Sequence, residues 1–197
     1  MKVLGRLAMA AAVLVPIGAV VVAAPAGAAN TNTASCTGVS GSIDNITTNN
    51  GVHDNGGLLL AKKGTQQYKV KAATSTDCGS VVNAGNLSAV ITTATAINCQ
   101  TAKTTTLGGS GTFTWTDPAG MGKSVANLQF RWTGNTTLHF SGSVSSTGSS
   151  NNIFGGQHVT GNVTTTQSLA ALAAGGSCSA TAPLHHFAIT AWSLSIS

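Results

Sequence analysis

Leu87, Ala89, Ile91, Thr93, Thr95, Ile97 and Cys99 hold one parity through thirteen residues, and this run narrows the fold more than any other feature. A strand sends successive side chains to opposite faces, so a period of two lines up one face. A helix would scatter the same residues around its axis. Shorter runs repeat the pattern. Tyr68, Val70 and Ala72 alternate with Lys69 and Lys71, and Phe113 and Trp115 alternate with threonines. Leu128, Phe130 and Trp132 share one side of a strand whose other side carries Asn127, Gln129 and Arg131. Leu138, Phe140, Gly142 and Val144 follow after a Gly134-Asn135 turn, then Val159, Gly161 and Val163.

The closing strand carries Phe187 and Ile189, then Trp192, Leu194 and Ile196. Its parity slips by one between the two groups, which predicts a bulge near Thr190-Ala191. One short helix is expected, with Ser168 as N-cap, Leu169 to Ala174 as body and Gly175-Gly176 as the stop. About eight strands with short turns predict an all-β chain. The expected form is an antiparallel β-sandwich with one helical crossover, and a closed β-barrel is the alternative.

Ahead of this region, Lys2 and Arg6 precede an apolar run from Leu7 to Val22 and a small-residue site, Ala26-Gly27-Ala28. This reads as a signal peptide over residues 1–28, followed by one secreted domain over 29–197, extracellular or held at the cell envelope. Thr33-Ala34-Ser35-Cys36 has Thr where a lipid-attachment box wants a large aliphatic residue, and no adjacent arginine pair marks a twin-arginine route. An even number of cysteines in an exported chain, Cys36, Cys78, Cys99 and Cys178, reads as two disulfides. Three pairings are possible. Cys36–Cys78 with Cys99–Cys178 is favoured, because Cys36 opens the first strand and Cys78 closes the second, so their ends meet if those strands are antiparallel neighbours.

Composition removes several function classes. Without the leader, 7 Lys/Arg stand against 4 Asp, a net charge of 7 − 4 = +3, and glutamate is absent. The basic residues are scattered without interleaved aromatics, which is no nucleic-acid footprint. The polar Thr, Ser and Lys outer faces and the disulfides also argue against a membrane span in the mature chain.

Asp44, Asp54, Asp77 and Asp117 each sit near a turn or a cysteine and form no obvious carboxylate pair for glycoside hydrolysis. No G-x-S-x-G elbow supports a Ser/His hydrolase, which ranks last among the readings. With the cysteines in bridges, no thiol nucleophile remains. His185 and His186 are adjacent and point to opposite faces of a strand. His139 and His158 fall at outward positions on strands expected to pair, so their rings are candidates to meet. Two histidines fall short of a stable zinc site, and no residue pattern calls for a cofactor or metal.

Trp115, Trp132 and Trp192 share parity with aliphatic neighbours, which assigns them to the core before any sugar-stacking platform. The threonine runs at 104–106 and 164–166 lack a fixed repeat and read as outward strand positions. Sequons at Asn45, Asn86, Asn135 and Asn162 read as incidental.

The arrangement from Cys36-Thr37-Gly38-Val39-Ser40-Gly41-Ser42-Ile43 through Thr76-Asp77-Cys78, Asn98-Cys99 and Gln167 to Cys178 resembles uncharacterised secreted β-proteins of actinobacteria, across most of the mature chain. The resemblance implies export and a four-cysteine β domain and carries no catalytic residue. The expected function is a non-enzymatic extracellular or cell-envelope interaction module, whose partner is a protein or a glycan. The alternative is a carbohydrate or cell-wall ligand-binding protein. The loops at Asn45–Gly57 and Ser145–Asn152 are the expected binding elements.

Overall fold

The computed structural model describes residues 32–46, 48–49, 52–53, 66–76, 78–79, 81–93, 99, 101–117, 120–146, 153–174 and 186–197. Its strands are β1 (Ala34–Gly38), β2 (Gly41–Asn45), β3 (Thr48–Asn49), β4 (Val52–His53), β5 (Gln66–Ala72) and β6 (Ala84–Thr93). They continue with β7 (Leu107–Asp117), β8 (Gly120–Trp132), β9 (Thr137–Val144), β10 (His158–Thr165) and β11 (His186–Ile196). The one α-helix among the described residues, α1, spans Leu169–Ala174. β3 and β4 form a separate two-stranded hairpin inside the stretch read as a loop.

The all-β class and the short helix are as expected, and of the two arrangements left open the sheet takes the closed one. β2, β5, β6, β7, β8, β9, β10 and β11 each pair antiparallel with the next, and β11 returns to β2. Gly41 to Asp44 face Ile189 to His186 along that seam. A sandwich leaves edge strands in both sheets, whereas pairing the first and last strands of a meander removes them. β1 adds a ninth strand that prolongs β2 along β11. Gly38 faces Trp192 and Gly41 faces Ile189 in one register, with Val39-Ser40 as the step between. Gly41 takes φ +155°, and a Cβ there would lie 2.3 Å from the Lys71 carbonyl, so the step requires glycine.

Eight strands enclose an interior just wide enough for side chains to fill. Aromatic rings occupy it by lying over glycines on the neighbouring strand. Trp115 pairs across from Gly122, Phe140 from Gly161 and Trp192 from Gly38. A Cβ on Gly122 would sit 2.4 Å from the Trp115 indole, and one on Gly38 would sit 2.0 Å from Trp192 Nε1. The indole N–H groups of Trp115 and Trp192 are buried against these glycines without an acceptor among the described residues. At one end Phe154 is fully buried, with its ring edge-on to Trp115 at 5.1 Å. At the other end the helix inserts Leu169, whose N–H donates to the Asn135 carbonyl. A cavity of about 10 Å³ remains among Leu87, Phe113, Leu128 and Leu194, room for one water at most.

Local signals in the sequence explain the remaining features. The bulge falls at Thr190, since Thr164 faces Ala191 while Thr165 faces Ile189. Ser168 caps the helix, its Oγ accepting from Ala171 N–H at 3.1 Å. Cys36 and Cys78 form the expected disulfide, and Ser35 N–H donates to the Cys78 carbonyl beside it. Cys99 is also disulfide-bonded; Cys178, its expected partner, lies outside the described residues.

Two outcomes follow from this packing. Gly161→Ala should destabilise by about 1–3 kcal/mol, because the new methyl meets both Phe140 and the Ser193 carbonyl at 2.2 Å. Gly108→Ala, with nothing within 4 Å, should change stability by less than about 1 kcal/mol. Urea titration of both variants measures the difference, and equal losses would contradict the filled interior. Replacing Cys36 and Cys78 together by Ala opens a loop of 42 residues and should lower stability by about 2–4 kcal/mol. An unchanged urea midpoint would mean strand pairing alone holds β1.

Candidate functional site

Among the described residues the interior is filled, and on the outer wall β11 organises a shaped region. At the bulge, Thr190 and Ala191 are both exposed in succession, and the wall dips along β11. An open groove of about 410 Å³ lies there, bounded by Thr37 and Val39 on β1 and its following step, Asn162 and Thr164 on β10, and Ala191 and Ser193 on β11. The register builds it, because Thr37 faces Ser193 and Ser193 faces Asn162. No ionisable side chain among the described residues lines this groove. Val39 stands on its rim with 82% of its surface exposed. On the far side of Asn162, His139 Nδ1–H donates to Asn162 Oδ1 at 3.1 Å, because an amide oxygen can only accept.

A second cluster closes the seam. Asp44 and His186 face each other across β2 and β11. His186 Nδ1–H donates to Asp44 Oδ1 at 2.6 Å, and Ser42 Oγ donates to Asp44 Oδ2 at 2.6 Å. Partial burial raises the Asp44 pKa. The hydrogen bonds from Ser42 and His186, with the charges of His186 and Lys71, outweigh that and hold it below the ordinary value of 3.8. Chemically this is a cross-strand clamp. In a Ser/His hydrolase the hydroxyl must give its proton to the imidazole, whereas Ser42 gives its proton to the carboxylate.

The other sequence candidates fall as follows. His139 and His158 share the outer face but do not meet. Register places His139 opposite Asn162 and His158 opposite Ser143, four residues apart along β10, or about 13 Å. Val159 against Gly142 and Val163 against Leu138 set that register from inside. Trp115, Trp132 and Trp192 are all buried, so none offers a stacking surface on the outer wall. His185, Asp54 and Asp77 lie outside the described residues, as do most of the loops at Asn45–Gly57 and Ser145–Asn152. Lys69 and Lys71 are outward on β5, as expected.

Among the described residues no group of three His, Cys, Asp or Glu is placed to hold a metal. No helix there is long and apolar enough to cross a membrane. The outward side chains of β8 are Lys123, Asn127, Gln129 and Arg131, with Met121 and Val125 as the apolar members of the row. Sequence reasoning missed both the groove and the Asp44–His186 pair. The first is made of small neutral residues that carry no motif, and the second joins positions 142 residues apart.

The clamp has a pH signature. A carboxylate whose folded pKa is depressed stabilises the fold above its unfolded pKa, and that contribution disappears as pH falls through the folded value. Both side chains are more than one-third exposed, so the pair contributes less than about 1 kcal/mol. Asp44→Asn should therefore trail the native chain by that small margin at neutral pH. The two urea midpoints should converge below the ordinary aspartate range. A gap that persists in acid would contradict the clamp.

No family model, curated protein or solved structure matches this chain.

Proposed function

We propose that the protein is a secreted, non-enzymatic binding module that works in the cell envelope or the surrounding medium through its outer wall. The observation that carries this reading is the packing of the barrel. Among the described residues, aromatic rings over glycines leave a cavity of about 10 Å³ inside, which favours the outer wall as the place where a ligand of ordinary size is met. That outside is rich in Thr, Ser and Asn and sparse in charge, which suits neutral, hydrogen-bonded contacts more than electrostatic capture. The Asp44–His186 pair, with Ser42 bonded to the carboxylate, supports a structural use of the titratable residues over a hydrolytic one. The disulfide suits a domain that must persist in an oxidising compartment.

The test is co-sedimentation of the oxidised, exported protein with isolated cell envelope, alongside turnover assays on ester, glycoside and peptide substrates. Saturable association that survives high salt, is lost after reduction and alkylation, and occurs without turnover is the expected result. Turnover abolished by His186→Ala, or no association by the oxidised protein, would overturn the reading.

A further inference from the structure

We propose that the groove along β11 is a binding site for a neutral glycan chain. The inference rests on the binding-module reading and gives it a location and a ligand class. Three observations carry it. The first is shape. The groove is open and holds about 410 Å³, within the range of small-ligand sites, and it is created by the bulge at Thr190. Bulges re-aim side chains and recur beside functional sites. Here the bulge leaves the small side chains of Ala191 and Ser193 as the floor.

The second is chemistry. Thr37, Ser193, Thr164 and Asn162 offer hydroxyl and amide groups, while Val39 and Ala191 offer apolar contact. A sugar ring presents hydroxyls at its edge and C–H groups on its faces, so it meets both. With no ionisable group among the described lining residues, a charged ligand gains no partner from them and loses hydration. A peptide strand cannot pair with β11 itself, which from Trp192 to Ile196 is paired on both sides, by β1 and β10.

The third is preorganisation. The hydroxyls and amide of Thr37, Ser193 and Asn162 lie in one row across three strands. Their spacing is the strand spacing of about 4.8 Å, close to the length of one pyranose unit. His139 occupies Asn162 Oδ1. That fixes the amide plane and leaves Nδ2 as the donor toward a ligand, with His139 as a positioning residue.

The experiment titrates the isotope-labelled exported protein with uncharged tetrasaccharides of N-acetylglucosamine, glucose and mannose, with oligogalacturonate as the charged control. Amide shifts report the site. The fluorescence of Trp192, which borders the groove from its buried position, provides a second reading. Binding of a neutral oligosaccharide should perturb Thr37, Asn162, Ala191 and Ser193 and change little with salt. Ala191→Arg, at an exposed position, should weaken it by about tenfold or more, and Lys123→Ala should leave it unchanged. His139→Ala should weaken it less than Asn162→Ala does.

Perturbations confined to another face, or tighter and salt-sensitive binding of oligogalacturonate, would overturn the inference. So would a complete absence of binding to the neutral set. A concentration-dependent dimer abolished by Ala191→Arg would also overturn it, by assigning the groove to a second copy. If Ala191→Arg keeps full envelope association, the module reading stands and the groove assignment alone fails.

Discussion

The pairing of β2 with β11 determines the rest of the molecule. Joining the first and last strands of an antiparallel meander turns an open sheet into a ring of eight, and the strand number then sets the enclosed width. Once that width is fixed, the inward side chains must fill a space they cannot enlarge. Three of the largest, Trp115, Phe140 and Trp192, fit because the residue directly across from each is glycine. Phe154 and Leu169 complete the packing at the two ends. Among the described residues the interior keeps a cavity of only about 10 Å³.

The seam also generates the open groove on the outer surface. To follow β11 around the closure, the N-terminal chain steps at Val39-Ser40, and β11 slips parity at Thr190. The two irregularities lie close together, so Ile43 and Phe187 on one side of them and Cys36 and Leu194 on the other all remain inside. On the outer side the same irregularities expose Val39 and Ala191 and open the groove. On either side of this break the seam is secured by different chemistry. Asp44 and His186 clamp the β2 half from outside, and Cys36–Cys78 ties the β1 half from inside. The disulfide contributes more, since an exposed ion pair is weakly stabilising while a covalent link restricts the unfolded chain.

Much of this was legible from alternation alone. Parity assigned Tyr68, Leu87, Phe130 and all three tryptophans to the interior, located the slip in β11 and separated the short helix from the strands. Parity reports the face of a residue but carries no information about its row. His139 and His158 are both outward yet sit in different rows, because register is set by the whole ladder of inward contacts between β9 and β10. Barrel and sandwich were indistinguishable for the same reason. Each strand alternates identically in both, and the difference lies in one long-range pairing. The groove escaped notice because Thr37, Ala191 and Ser193 are ordinary outward residues until the bulge brings them around a hollow.

The central claim is closure, and interstrand proton contacts across the seam test it most directly. Ile46 N–H donates to Gln67, so the backbone groups of Ser42 and Asp44 are directed to β5. That leaves Ser42 opposite Ala188 as a pair not hydrogen-bonded across the seam, with Cα atoms about 4.5 Å apart. A closed barrel predicts a strong nuclear Overhauser effect between the Hα protons of Ser42 and Ala188, together with slow amide exchange at Ile43. The absence of that cross-peak, with rapid exchange at Ile43, would show β2 and β11 to be edge strands of an open sheet and would contradict the account.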